Sequence, residues 1–235
     1  MVINSSFSII GAGPTGSLLA IALSNAGSEV RIYDEQQPSQ ISSRSRAYAI
    51  THSTYYLFKK LGLWEKTRIH LTPYNKLMVV DDEAKCSIQF NSSDLPSNRG
   101  ILDDIGWIID HKDLMNLLFD HIDKMPLIET ELGNGNIPKI TSDSLLIAAD
   151  GPRSKTRCDW GISSYGWKYS QGCLTAQILL RGAEEKTAYE VFRKEGSGRS
   201  VAAYAQSGDS GGTESCAWRR RPFIPDSCSA EKVGW

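Results

Sequence analysis

The chain has almost no excess of charge: 26 basic residues stand against 27 acidic ones in 235, a formal net charge of −1. Broad tracking of nucleic-acid phosphates needs a basic face, so that class of partner is excluded. The densest basic run, Arg219-Arg220-Arg221, is short and reads as solvated. Cysteine is scarce, odd in number and never arranged as C-x-x-C (Cys86, Cys158, Cys173, Cys216, Cys228). That excludes a disulfide framework or zinc knuckle and is the usage of a reduced, cytoplasmic protein. His111 and His121 are too widely spaced to share a helical face as a ligand pair, so no metal site is expected. The N-terminus has no basic n-region and no cleavage pattern, so secretion is not expected, and Asn4-Ser5-Ser6 and Asn91-Ser92-Ser93 read as chance glycosylation patterns. The apolar run Leu18 to Leu23 is far too short to span a bilayer. Leucine is missing from the last 55 residues, although the first 180 hold 20.

What is present is an ordinary globular composition, 40% apolar and 23% charged. Phe7 to Ile10 has strand propensity and ends in Gly11-Ala12-Gly13-Pro14-Thr15-Gly16. Leu18, Leu19, Ile21, Ala22 and Leu23 then give a helical stripe that Asn25-Ala26-Gly27 stops. A second strand, Glu29 to Tyr33, leads into Asp34, completing a β-α-β unit that requires a parallel sheet. Further on, the pattern predicts a polar loop over 36–45 and a helix over 52–61. Strands are expected over 74–80 and 86–90, joined by Asp81-Asp82-Glu83. A strand over 107–109, a helix over 112–122, a turn at Gly133-Asn134-Gly135-Asn136, a buried strand over 144–149 and a strand over 172–180 follow. Trp64, Tyr74, Trp107, Trp160 and Trp167 are expected in core and sheet packing.

The glycines of the first turn have separate tasks. Gly11 permits the tight strand-to-helix bend, Gly13 lets backbone approach a diphosphate, and Gly16 lets the helix lie close to the sheet. Backbone N–H groups and the helix dipole then face the anion. Asp34 lies 18 residues beyond Gly16 at the end of the second strand, where a carboxylate can accept from ribose hydroxyls. This pattern does not separate FAD from NAD. Asp34 argues only against NADP at this site, since it repels a 2′-phosphate.

Three further stretches carry a resemblance: Ser45-Arg46-Ala47-Tyr48-Ala49-Ile50, Trp107-Ile108-Ile109-Asp110-His111-Lys112-Asp113-Leu114, and Leu146 to Arg157 with Asp150-Gly151 at its centre. With the glycine loop, their order and spacing over about residues 5 to 195 resemble the FAD-dependent aromatic monooxygenases of the para-hydroxybenzoate hydroxylase type. The nearest branch is the UbiH-like ubiquinone-biosynthesis hydroxylases. The resemblance implies an α/β fold: a Rossmann-like FAD-binding domain with a parallel sheet over 1–195, carrying parts of an inserted β-rich substrate domain at about 73–108 and 165–195. It implies that Gly11, Gly13, Pro14 and Gly16 hold the FAD diphosphate and Asp34 the adenosine ribose. Arg46 is expected along the FAD near the flavin, and Asp150 and Gly151 at the FAD and NAD(P)H sites. The family often has arginine where this chain has Lys112, which keeps the charge but loses the planar fork. Taken alone, Arg46 is also an ordinary surface arginine, Asp150-Gly151 an ordinary strand-end turn, and Ser154 a helix cap.

The implied activity is hydroxylation of an electron-rich phenol, with FAD as cofactor, NAD(P)H as reductant and O2 as co-substrate. The ring expected is a prenylated quinone precursor, which leaves room for a peripheral membrane contact. No catalytic side chain is assigned, because the cofactor carries the chemistry. The family's third FAD signature, a Gly-Asp followed by a histidine and a Pro- and Gly-rich turn, is not found, and Gly208-Asp209 reads as chance. From about residue 196 neither helical nor strand periodicity persists, so 196–235 is expected to be an aberrant, low-order tail of the kind a truncated or frame-shifted product carries. Weak or absent turnover is therefore expected. Two other readings stay open: a non-catalytic FAD- or nucleotide-binding fragment, and a flavin-dependent prenyl reductase of the same fold.

Overall fold

The first strand and helix set the architecture. β1 (Ser6–Ile10) buries Ile9 and Ile10, and α1 (Pro14–Asn25) starts with proline at its first position, where a missing N–H costs nothing. The helix ends with Gly27 at φ +86, and Gly27 and Ser28 donate back to the carbonyls of Ser24 and Leu23. The face that α1 buries is not the leucine stripe. It is Gly16, Ser17, Ala20, Ile21 and Ser24, while Leu18 and Leu19 are half-buried. Small side chains win this face because the helix lies so close to the sheet that a Cβ on Gly16 would collide with the Gly11 carbonyl.

The computed structural model describes residues 6–81, 83–95, 103–135, 144–167, 171–180, 184–193, 199–207 and 213–222, with 171–180, 193, 199–207 and 213–222 given by their backbone course. Asn4, Ser5, Asp82, Asn136, Gly208-Asp209 and the tail beyond residue 222 lie outside the described residues. The chain divides into two compact units.

The first unit comprises 1–44, 56–70 and 110–166. Its sheet is parallel, in the order β8 (Ile128–Leu132), β2 (Glu29–Asp34), β1, β9 (Ser144–Ala148). The helix α5 (His111–Ile122) buries Leu114, Met115, Leu117, Leu118 and Ile122 and packs on α1 and on α2 (Pro38–Ser42). The expected polar loop over 36–45 thus contains a helix. Pro38 sits at its first position, Gln40 accepts from the Gln37 N–H at 2.9 Å, and Ile41 is its buried anchor. His111 is buried with its Nε2 2.7 Å from the Ile41 carbonyl, a satisfied core histidine. The strand expected to be buried, β9, is instead at the sheet edge. Leu145 is 62% exposed there, because β1 covers only one side of the strand among the described residues. Trp160 is likewise exposed. Short α4 (Trp64–Thr67) and α6 (Lys155–Asp159) complete this unit, together with the C-terminal part of α3 (His52–Lys60).

The second unit comprises 45–55, 71–109 and 167–235. A three-stranded sheet has the order β3 (Ala47–Ile50), β7 (Gly106–Asp110), β4 (Thr72–Tyr74). A six-stranded sheet has the order β10 (Gln171–Leu180), β13 (Thr213–Pro222), β12 (Arg199–Ser207), β11 (Thr187–Arg193), β5 (Lys76–Asp81), β6 (Cys86–Asn91). Only the β5–β11 pair in it is parallel. β12 and β13 run through the segment where the sequence reading expects no regular element. Backbone pairing on β11 and β10 satisfies their N–H and C=O groups without any apolar alternation. Trp107 is buried as expected, whereas Trp167 is 70% exposed.

Candidate functional site

The glycine loop leaves β1 at its C-terminal end, against the chain that leaves β9. The Gly11 N–H donates to the Tyr33 carbonyl at 2.7 Å, and the Ala149 N–H donates to the Ile10 carbonyl at 2.7 Å. Gly11 has φ +104, and a Cβ there would strike the Ala149 carbonyl and come within 2.8 Å of the Asp150 amide nitrogen. Gly11 is therefore required by backbone on both counts. Gly13, the residue capping α1, faces open space: a Cβ placed on it would meet nothing within 4 Å. The α1 N-terminus thus presents its unpaired N–H groups across a loop with no side chain in the way.

Asp34 stands beside this loop. Its Oδ2 accepts from the Ala12 N–H at 2.8 Å and its Oδ1 from the Gln36 N–H at 2.9 Å. The carboxylate therefore fixes the loop, and each oxygen keeps acceptor capacity for a further donor. Asp150 and Gly151 follow β9, with Gly151 at φ +88. The Asp150 carboxylate accepts from the Thr156 N–H at 3.1 Å and its hydroxyl at 3.0 Å, and Ser154 Oγ accepts from the Arg157 N–H at 2.9 Å. Burial alone would push the Asp150 carboxyl up, but the hydrogen bonds from Ser154 and Thr156 outweigh it and hold it below its ordinary value. The serine cap and the aspartate together hold the first turn of α6.

The structure thus brings Gly11, Gly13, Pro14, Gly16, Asp34, Asp150 and Gly151 to one end of the parallel sheet. Lys112 is exposed on the first turn of α5. Arg46 belongs to the second unit, exposed just ahead of β3. One contact carried no sequence signal: Lys155 reaches Glu35, the residue after Asp34, at 2.6 Å across the surface.

Comparison with known proteins agrees with this geometry. Residues 5–97 match the family model described as FAD binding domain. The chain is 26% identical over 203 residues to the uncharacterized protein slr1300 of Synechocystis, covering 78% of this chain and 48% of that protein. It is 26% identical over 223 residues to the ubiquinone hydroxylase UbiM of Neisseria meningitidis, covering 86% and 47%. The chain spans about half the length of these curated relatives. Among solved structures, PqsL of Pseudomonas aeruginosa in complex with 2-aminobenzoylacetate superimposes with a TM-score of 0.73 at 16% identity, over 93% of this chain and 60% of that one. The mixed α/β fold with its parallel sheet is the fold of PqsL, which is described as a probable FAD-dependent monooxygenase.

Proposed function

We propose that this chain is the FAD-binding part of a flavin-dependent monooxygenase that hydroxylates an aromatic ring, of the ubiquinone-biosynthesis kind. The observation that carries the reading is the open face of Gly13 beside an Asp34 carboxylate tied to the Ala12 N–H at 2.8 Å. Gly11, Gly13 and Gly16 would leave the α1 N–H groups free for the diphosphate, Pro14 would start that helix without a wasted donor, and Asp34 would accept from the ribose. Asp150 and Gly151 close the same sheet end, and Lys112 would supply positive charge for the rest of the cofactor. FAD, when bound, supplies the redox chemistry with NAD(P)H and O2. The likeness to a ubiquinone hydroxylase, UbiM, supports a prenylated phenol as substrate, and a peripheral membrane contact would suit a substrate of that apolar kind. Among the described residues no helix is long and apolar enough to cross a membrane.

Titration of the purified chain with FAD, read by quenching of flavin fluorescence, tests this. Gly13→Ala keeps the fold, because its Cβ meets open space. It is expected to weaken FAD about tenfold or more, roughly 1.4 kcal/mol, by holding the diphosphate off the backbone. Unchanged affinity in a folded Gly13→Ala protein defeats the assignment.

A further inference from the structure

Two acids stand in a row where β2 ends, Asp34 and Glu35, and the glycine loop lies beside them. The loop and the first turn of α1, from Gly11 to Ser17, hold no charged side chain. What they offer an anion is backbone dipole, worth about half a positive charge at a helix N-terminus. Two bare carboxylates outweigh that and would drive a diphosphate away. Asp34 is committed to the Ala12 and Gln36 N–H groups. Glu35 is answered from the segment that follows β9: Lys155 Nζ donates to its Oε1 at 2.6 Å. In the sheet β1 runs between β2 and β9, so the pair joins segments that leave two strands which are not neighbours. Both ends of the pair have a fixed backbone. Asp34 binds the Gln36 N–H on one side, and on the other Lys155 opens α6, whose first turn the Asp150 and Ser154 bonds hold. Glu35, and then Asp159 one turn along α6, raise the Lys155 ammonium above its ordinary value, so it is charged at neutral pH.

We propose that Lys155 is a further residue of the cofactor site: by neutralising Glu35 it keeps a second negative charge off the diphosphate bound at the glycine loop. The proposal rests on the reading of that loop as an FAD site. The contribution is electrostatic, not structural. Both side chains are mostly exposed, 71% for Lys155 and 57% for Glu35, and an exposed pair of this kind adds little to stability. At roughly two strand spacings, about 10 Å, one freed carboxylate repels a doubly charged diphosphate enough to weaken its binding about three- to fivefold at low salt. Added salt screens that repulsion.

FAD titrations of the full chain at low and at high salt test this in four proteins: wild type, Lys155→Met, Glu35→Gln and the double variant. Their thermal melts should coincide, and a loss of affinity that tracks a lowered melting temperature makes the pair structural and overturns the proposal. Lys155→Met is expected to bind FAD about three- to fivefold more weakly at low salt, with the deficit fading in about 0.5 M salt. Glu35→Gln should bind at least as tightly as wild type. Added to Lys155→Met it should restore the lost affinity, because the penalty comes from the bare carboxylate. If wild type binds FAD and Lys155→Met binds it equally well, this role for Lys155 falls while the FAD reading stands. A loss that the double variant does not restore overturns it too, since Lys155 then acts on the cofactor directly. If wild type does not bind FAD, both readings fall together.

Discussion

Among the described side chains, the strands of the two units are buried to very different depths. In the first, Ile9, Val30, Ile32, Met115 and Leu118 are all but inaccessible, and helices α1 and α5 close over the parallel strands. In the second, every residue of β5 is half-buried, and β6 is exposed from Cys86 to Phe90, with Ile88 57% and Phe90 46% accessible. A parallel sheet joined by crossovers receives its helices as part of its topology, whereas antiparallel strands can stand with one face in water. Among the described side chains the deepest burial lies in the first unit, and the glycine loop leaves the end of β1 where Ile9 and Ile10 are buried. Among the described residues, the buried apolar side chains of the second unit are Ala47, Ile50, Tyr55, Trp107 and Ile109, the last two from the strand that precedes α5.

The largest expected break in this comparison comes from matched truncations. Leu118→Ala in α5 should cost about 2–5 kcal/mol, because it leaves a cavity in a closed interior. Ile88→Ala on β6 should cost no more than about 0.5 kcal/mol, as surface substitutions do. Urea unfolding of both variants checks this, and a similar loss from both would show that the units share their stability evenly.

A smaller effect separates the capped end of the site from its surroundings. Asp150→Ala removes the acceptor of the Thr156 N–H and hydroxyl and should cost about 1 kcal/mol, the usual worth of a helix-start acceptor. The sign with pH follows from the carboxyl being held below its ordinary value of 3.8. The native state binds its proton more weakly than the unfolded chain does, so the stabilisation is complete above that ordinary value and is lost as pH falls through the lower native one. Thermal melts of wild type and Asp150→Asn should therefore differ at neutral pH and converge in acid. A difference that persists after acidification would assign the loss to packing.

The site was more legible in sequence than the surfaces around it, for a physical reason. Gly11, Gly13, Gly16 and Asp34 answer to backbone constraints that act over short stretches: a positive φ, a close helix approach, a strand-end carboxylate. Such constraints leave a fixed spacing in the chain. The open side of β9 left no such mark, because Ser-Leu-Leu-Ile-Ala reads as a buried strand whichever position it takes in the sheet. α2 had its marks in Pro38 and the Gln37/Gln40 pair, but its polar composition suggested a loop. β12 and β13 depend on neighbours far away in sequence, which local periodicity does not register. The Glu35–Lys155 pair spans 120 residues and is invisible to any local pattern.

The smallest expected effect sharpens the picture of the second unit's core. His52, the first residue of α3, has its Nε2 2.9 Å from the Asp104 carbonyl and its ring 5.5 Å from that of Trp107. Since a carbonyl only accepts, Nε2 carries the proton. Asp104 Oδ2 accepts from Trp107 Nε1 at 3.2 Å. Burial pushes the Asp104 carboxyl above its ordinary value, with Asp103 adding to it, while Lys186, the Trp107 bond and His52 pull the other way. A carboxyl raised in the native state favours folding when protonated, so its contribution declines as pH rises from the ordinary value through the native one. Asp104→Asn keeps an acceptor for Trp107 and removes the charge that burial disfavours. It should raise stability by a few tenths of a kcal/mol at neutral pH, about the scale of a surface substitution, with the advantage vanishing below the ordinary carboxyl range. Melting curves of the two proteins from acid to neutral pH measure it. An Asp104→Asn protein less stable than wild type at neutral pH would mean that the charged carboxylate holds Trp107 more tightly than burial penalises it.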